Sequence, residues 1–294
     1  MLALRADGSM WAWGSNGDGQ LGDGTTTNRS VTHVSALSGV VQVSGGSYFS
    51  LALKSDGTVW AMGRNQVGQL GNNTTVGSSV PVPVSGLANV TAIAAGAGHG
   101  LALKSDGTVW AWGANSAGQL GNGTTTDSSV PVQVSALIDV TAISAGGGHS
   151  LALKADGTVW SWGLNSKGQL GDGTFTFANR SIPAQVTGLS GVITRIAGGS
   201  EHSLALKSDG TVWAWGSDAY GQLGDGTLAP ARPTPVQVLN LTNVIEIGAG
   251  VLHSLAIKSD GSVWAWGNNV DRQLGNGINP QLLQIGRASC RERV

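Results

Sequence analysis

Short runs of alternating apolar and polar residues recur along this chain, each pair split by an Asp-Gly step. In Leu151-Ala-Leu-Lys-Ala-Asp-Gly-Thr-Val-Trp-Ser-Trp-Gly163 two such runs flank Asp156 and Gly157. Asp-Gly between apolar runs predicts a β-hairpin, because a type I′ turn needs φ > 0 at both central residues. A two-residue loop would set Lys154 opposite Val159, Leu153 opposite Trp160 and Leu151 opposite Trp162. Cross-strand partners share a sheet face. One face is then expected to carry Leu151, Leu153, Trp160 and Trp162, and the other Ala152, Lys154, Val159 and Ser161. A bulky face backed by a small one predicts copies stacked large against small.

The hairpin occurs six times, with its first tryptophan at Trp11, Trp60, Trp110, Trp160, Trp213 and Trp264, in steps of 49, 50, 50, 53 and 51 residues. The second bulky position is Trp13, Met62, Trp112, Trp162, Trp215 and Trp266, so these two phases hold all eleven tryptophans. Tryptophan confined to one phase of a repeat signals packing. Trp60, Trp110, Trp112, Trp160, Trp162, Trp213, Trp215 and Trp264 are therefore expected to be structural. Each hairpin leads into a Gly-Gln-Leu-Gly turn, a Thr-rich loop, a β-branched run such as Val130–Val134, and a short small-residue run such as Val140–Gly146. Pro131 cannot donate to a ladder, which puts its strand at a sheet edge or the proline at its start. About four short strands per repeat, without helical periodicity, predict the blades of an all-β propeller. The small Ala/Gly run suits the crowded innermost strand.

The ordered set Leu-Ala-Leu-Lys-x-Asp-Gly-x-Val-Trp-x-Trp-Gly, Gly-Gln-Leu-Gly, Pro-Val-x-Val and Gly-x-x-His-Ser resembles the regulator-of-chromosome-condensation repeat over residues 1 to about 277. The resemblance implies a propeller, usually of seven blades, where about five and a half repeats are present here. The chain begins inside a hairpin, at Leu2. Residues 285–294 do not continue the repeat. The expectation is a bacterial-looking fragment whose propeller spans 1–284, incomplete at both ends, with 285–294 a non-native tail. Members of the family include a nuclear guanine-nucleotide exchange factor, a plant ultraviolet-B receptor and a secreted bacterial β-lactamase inhibitor. The photoreceptor carries Trp and Arg just before the repeat histidine. Ala97-Gly98, Gly147-Gly148, Ser200-Glu201 and Val251-Leu252 stand there in this chain, which disfavours light sensing.

Charge narrows the partners. With 11% charged residues and a formal net charge of −1, the chain lacks the basic stripe that nucleic acid requires, so none is expected. No apolar run approaches the roughly 18 residues of a membrane span. The single cysteine, Cys290, excludes an internal disulfide framework.

Candidate chemistry is sparse. Gly17-Asp-Gly19-Gln-Leu-Gly22 fits the dinucleotide fingerprint, but Thr-rich loop follows where a helix should open. His99, His149, His202 and His253 share one repeat position, with Phe49 in the fifth. Equivalent atoms on successive blades lie too far apart to share one metal, so a ring N–H tying neighbouring strands is the expected role. The Asp of each Asp-Gly pair has a turn role, and no calcium loop surrounds it. Outside the tail the only glutamates are Glu201 and Glu246. No catalytic residue, cofactor or metal is expected.

What remains are departures from the chain's own consensus. Phe175, Phe177 and Arg180 lie in the longest repeat; Tyr220 precedes a Gly-Gln-Leu-Gly turn; Tyr48 and Phe49 replace Gly-His. Aromatic and Arg side chains are the usual interface anchors, and these six are the candidate partner-binding residues. The expected function is a non-catalytic scaffold binding another protein through face loops, at a cell surface or as an enzyme inhibitor, with an extracellular or cell-surface location. A glycan- or cell-wall-binding propeller is the alternative. A guanine-nucleotide exchange factor fits least, because basic docking elements are missing.

Overall fold

The computed structural model describes residues 1–174, 176–275 and 282–287. Six antiparallel sheets follow one another along the chain, each a meander of sequential strands, forming a six-bladed all-β propeller with no helix among the described residues. Blade four is typical: inner strand Val140–Ala145, then His149–Lys154, Val159–Gly163 and outer strand Arg180–Gln185. The small-residue runs form the inner strands. In blade three the run with Pro131 is the outer edge strand, Ser128–Gln133, where a missing N–H costs no ladder bond. Blade one has three strands, Leu2–Leu4, Met10–Gly14 and Arg29–His33. In blade six Leu282–Arg287 pairs along Val263–Gly267 in the outer-strand register, so this strand runs across the 284/285 boundary expected from sequence.

The hairpin register differs from the expected one by a residue. Lys154 N–H bonds Thr158 O at 3.0 Å, Gly157 N–H bonds Lys154 O at 2.9 Å, and Gly157 alone of the loop has positive φ, at 82°. The loop is therefore Ala155-Asp156-Gly157, three residues with the glycine left-handed, in place of a two-residue turn. Asp156 Oδ1 accepts from both the amide and the hydroxyl of Thr158. That bond stabilises the longer loop. The observed pairs are Leu153 with Val159, Ala152 with Trp160, Leu151 with Ser161 and Ser150 with Trp162. A one-residue slip exchanges the faces.

One face of blade four thus carries Leu151, Leu153 and Val159, and the other Ala152, Trp160 and Trp162. The leucine face packs on Ala205 and Trp215 of blade five. Ala152 and Trp162 pack on Leu101, Leu103 and Val109 of blade three. The large-against-small stacking therefore becomes Leu/Val against Ala/Trp, with Met62 in place of the tryptophan where blade two meets blade one. The two tryptophan phases also part company. Trp112, Trp162, Trp215 and Trp266 are fully buried, whereas Trp11, Trp60, Trp110, Trp160, Trp213 and Trp264 are half-buried, as is Trp13 of the second phase in blade one. In blades two to six the half-buried rings lie beneath the lysine that ends the preceding strand, as with Lys154 at 5.6 Å from the Trp160 centroid.

Inner strands also clasp one another. Gln42 bonds both backbone groups of Ile93, at 3.0 and 3.1 Å, and Ser44 accepts from the Ala95 amide at 2.9 Å. Packing runs without a break from blade one to blade six, and no comparable packing joins the described strands of blade six to blade one. No helix among the described residues is long and apolar enough to cross a membrane.

Candidate partner-binding face

Three of the four repeat histidines are spoken for by the fold. His99, His149 and His202 are fully buried, and each Nε2 meets a serine of the next blade: Ser150 at 3.0 Å, Ser203 at 2.9 Å and Ser254 at 3.0 Å. Those serines donate to Gln119, Gln169 and Gln222 carbonyls of the Gly-Gln-Leu-Gly turns. A serine whose proton is committed accepts from its histidine, so Nε2 carries the hydrogen and Nδ1, which has no partner, is bare. Burial holds His99 at about 4, His149 at about 3 and His202 at about 3, with neighbouring histidines adding to the effect on the last two. These rings are neutral and inert near neutral pH. Among the described residues no three His, Cys, Asp or Glu side chains converge on a metal position.

The free chemistry lies on the loops that precede and follow the histidine hairpins. In every blade from two to six, the residue before the His/Phe position accepts a backbone bond from the residue after the Trp-Gly or Met-Gly step: Arg64 N–H to Tyr48 O, Ala114 to Gly98, Leu164 to Gly148, Ser217 to Glu201, and Asn268 to Leu252, all at 2.8–2.9 Å. The pairs are held alike by a repeated backbone, yet their side chains differ in every copy. That combination gives one loop face a fixed geometry and a variable content.

At blade two the cell is filled by charge and ring. The Arg64 guanidinium stacks 4.1 Å from the Tyr48 ring centroid and makes two bonds, 2.9 and 3.3 Å, to the Asp18 carboxylate of blade one. The Asp18 hydrogen bond pushes the guanidinium further toward its charged form. Tyr48 is 47% exposed. At blades three and four the same cell is shallow, with Gly98 beside Ala114 and Gly148 beside Leu164. At blade six it pairs Leu252 with Asn268, beside exposed Val251. Within this ring of loops lies a central cavity of about 380 Å3, lined by small residues and backbone such as Gly46, Ser47, Ala97, Gly147, Ser200 and Val251. Its glycines are required by close approach: a Cβ on Gly146 would strike the Gly199 carbonyl and the His149 ring.

The six sequence candidates separate. Tyr48 stands exposed on this face, and Tyr220 is 36% exposed on the turn before Gly221. Phe49 does not: at 1% exposure it fills the buried histidine position and packs in the core with Trp112 and Ala102, so it is no partner anchor. Arg180 begins an outer strand and its guanidinium is paired with the nearly buried Asp172 carboxylate at 2.9 Å. Phe177 is half-buried with φ at 50°. Phe175 lies outside the described residues. Sequence reasoning passed over Arg64 and Asp18. The signal was present, since Arg64 is the one charged residue at a position otherwise held by Ser15, Ala114, Leu164, Ser217 and Asn268.

Comparison with known proteins agrees with this geometry. A family model for the regulator of chromosome condensation (RCC1) repeat matches residues 7–53, 56–103, 106–153, 156–206 and 209–257, and a second model of that repeat matches five staggered segments between 40 and 273. The RCC1 domain-containing mitochondrial protein RUG3 of Arabidopsis thaliana is 43% identical over 95 residues, covering 32% of this chain and 21% of that protein. The human E3 ubiquitin-protein ligase HERC2 is 36% identical over 123 residues, 37% of this chain and 2% of HERC2. The chain therefore spans a small part of the curated relatives it matches. Among solved structures, Prp20p of Saccharomyces cerevisiae, described with its binding to Gsp1p and histones, superimposes with a TM-score of 0.87 at 27% identity, covering 98% of this chain and 74% of that one. Human WBSCR16 shares the fold at a TM-score of 0.82 and 24% identity, over 96% of this chain and 79% of its own.

Proposed function

Since this chain belongs to the regulator of chromosome condensation (RCC1) repeat family, we propose that it is a non-catalytic propeller scaffold that binds another protein through one loop face. Tyr48 and Arg64 are its principal anchors. The observation that carries this reading is the Tyr48–Arg64–Asp18 cluster: an exposed ring and a guanidinium held in place before any partner arrives. Preorganised aromatic and Arg side chains lose little freedom on binding, which is why such residues dominate interface energetics. The repeat scaffold supplies rigidity and the variable cells supply selectivity. The relation to Prp20p, whose partners are proteins, supports the class of ligand. Glycan binding would call for exposed rings side by side, whereas Tyr48 and Tyr220 stand on loops of different blades.

The test is site-specific photo-crosslinking. A photoreactive residue at position 48 or 98 should capture one defined protein, and the same probe at the exposed outer-strand position Val80 should not. With that partner in hand, Tyr48→Ala and Arg64→Ala should each weaken binding at least about tenfold while the thermal midpoint stays put. Equal capture from the loop-face positions and from Val80, or unchanged affinity in both variants, would refute the reading.

A further inference from the structure

One buried group has no use in the scaffold as described. The position two residues after the Trp-Gly or Met-Gly step is Asn16, Asn65, Asn115, Asn165 and Asn269 in five blades and Asp218 in blade five, and all six are buried. The asparagines do two jobs. Their Oδ1 accepts an amide five residues on, as from Leu21, Leu70 and Leu120 at 2.8–2.9 Å. Their Nδ2 donates to loop carbonyls: Thr25 and Thr27, Thr74 and Val76, Thr124 and Thr126, at 2.9–3.1 Å. One amide thus pins each Thr-rich loop to the blade.

Asp218 keeps the first job, accepting the Leu223 amide at 3.0 Å. The planar carboxyl then puts its second oxygen where the donor nitrogen sits elsewhere. That oxygen, Oδ2, is buried and makes no well-formed hydrogen bond, although the Ala229 amide lies close enough to the carboxyl to favour its charged form in part. A carboxylate cannot donate, whereas a neutral carboxyl can. The charged groups facing it are Asp225 and Arg232, and these already engage each other at 3.2 Å. We propose that Asp218 carries its proton in the folded protein and thereby pins the loop 225–232, so that its ionisation releases that loop. The blade-five junction is then a pH-sensitive latch, independent of which partner the loop face binds.

The electrostatics agree in direction. Burial, aided by the Asp225 charge, pushes this carboxyl up to about 7, and the Leu223 and Ala229 amides and Arg232 offset it only in part. A group protonated more readily when the loop is closed favours closure fully at pH below its ordinary value of 3.8. That preference is lost as pH rises toward 7, and above 7 no further change follows.

The experiment is carried out on the whole chain and on Asp218→Asn, which restores the residue of the other five blades. Carbon-13 NMR of the Asp218 carboxyl should titrate near 7. Hydrogen exchange of segment 221–232, corrected for intrinsic rates, should quicken by up to about tenfold per pH unit between 5 and 7 in the wild type. Asp218→Asn should be protected and pH-independent there, and the loop after Asn16 should be unaffected in both proteins. A carboxyl titrating below 5, or the same exchange profile in the wild type and Asp218→Asn, would overturn the latch.

Discussion

His99 and Ser150 meet at 3.0 Å across the boundary between blades three and four, and the serine passes the bond on to the Gln119 carbonyl. The Trp162 indole donates to that same carbonyl at 2.9 Å. One Gly-Gln-Leu-Gly turn therefore holds the next blade by a hydroxyl and an indole at once. The junctions of blades four to five and five to six repeat the arrangement. Where the clasp is missing, both ends change together: Phe49 replaces the histidine, and Gly100 stands where the next blade would offer its serine.

This joint exchange predicts a recoverable loss. Ser203→Gly alone strands the His149 Nε2 hydrogen in the core and should cost about 1–3 kcal/mol. Adding His149→Phe should restore much of that, because the pair then reproduces the Phe49/Gly100 junction. Denaturant midpoints of the two singles and the double would show it; additive losses would disprove the coupling.

Acid should unfold the protein through its histidines. His99, His149 and His202 are held near 4, 3 and 3 in the fold, against an ordinary value of 6.5. The unfolded chain therefore takes up more protons below 6.5. Stability should be constant above that pH as far as these groups go and fall as pH drops toward 4, by up to about 1.4 kcal/mol per pH unit for each ring. Chemical denaturation at pH 7.5, 6 and 5 should reveal this slope, and His149→Phe with Ser203→Gly should make it shallower.

The two tryptophan phases should behave unequally. Trp162→Ala removes a fully buried side chain and its bond to Gln119, for a loss of about 3–5 kcal/mol. Trp160→Ala removes a half-buried ring under Lys154, and about 1–2 kcal/mol is expected from partial burial and the cation–π contact. Comparable losses at both sites would contradict the observed register.

Arg180 should prove to be a loop strut. Arg29, Arg180 and Arg232 each begin an outer strand and pair with Asp23, Asp172 and Asp225, whereas Asn72 and Asn122 stand opposite Ser78 and Ser128. Burial alone would raise the Asp23 carboxyl, but hydrogen bonds from Arg29 and Thr25 outweigh it and hold it at about 2. Arg29→Ser should therefore cost about 1–3 kcal/mol by leaving a buried carboxylate unpaired, and Asp23→Asn in the same chain should recover most of it. Thermal midpoints of the three variants are the measurement.

The blade architecture was legible along the chain because its causes are local. Alternating apolar runs and Asp-Gly turns at a step near fifty specify short antiparallel strands, and tryptophan restricted to two phases marks what must be buried. The register was not legible. Whether Asp156 or only Gly157 adopts positive φ is settled by a bond from Thr158 to the Asp156 carboxylate, and that choice moves Trp160 to the other face. The partners of the candidate residues were hidden for a different reason. Arg64 finds Asp18 across 46 positions, and His99 finds Ser150 across 51. Phe49 reads as a surface aromatic until the next blade closes over it. Local pattern sets which strands form; only the stacking of one blade on the next sets which side chains meet, because those contacts join residues a whole repeat apart.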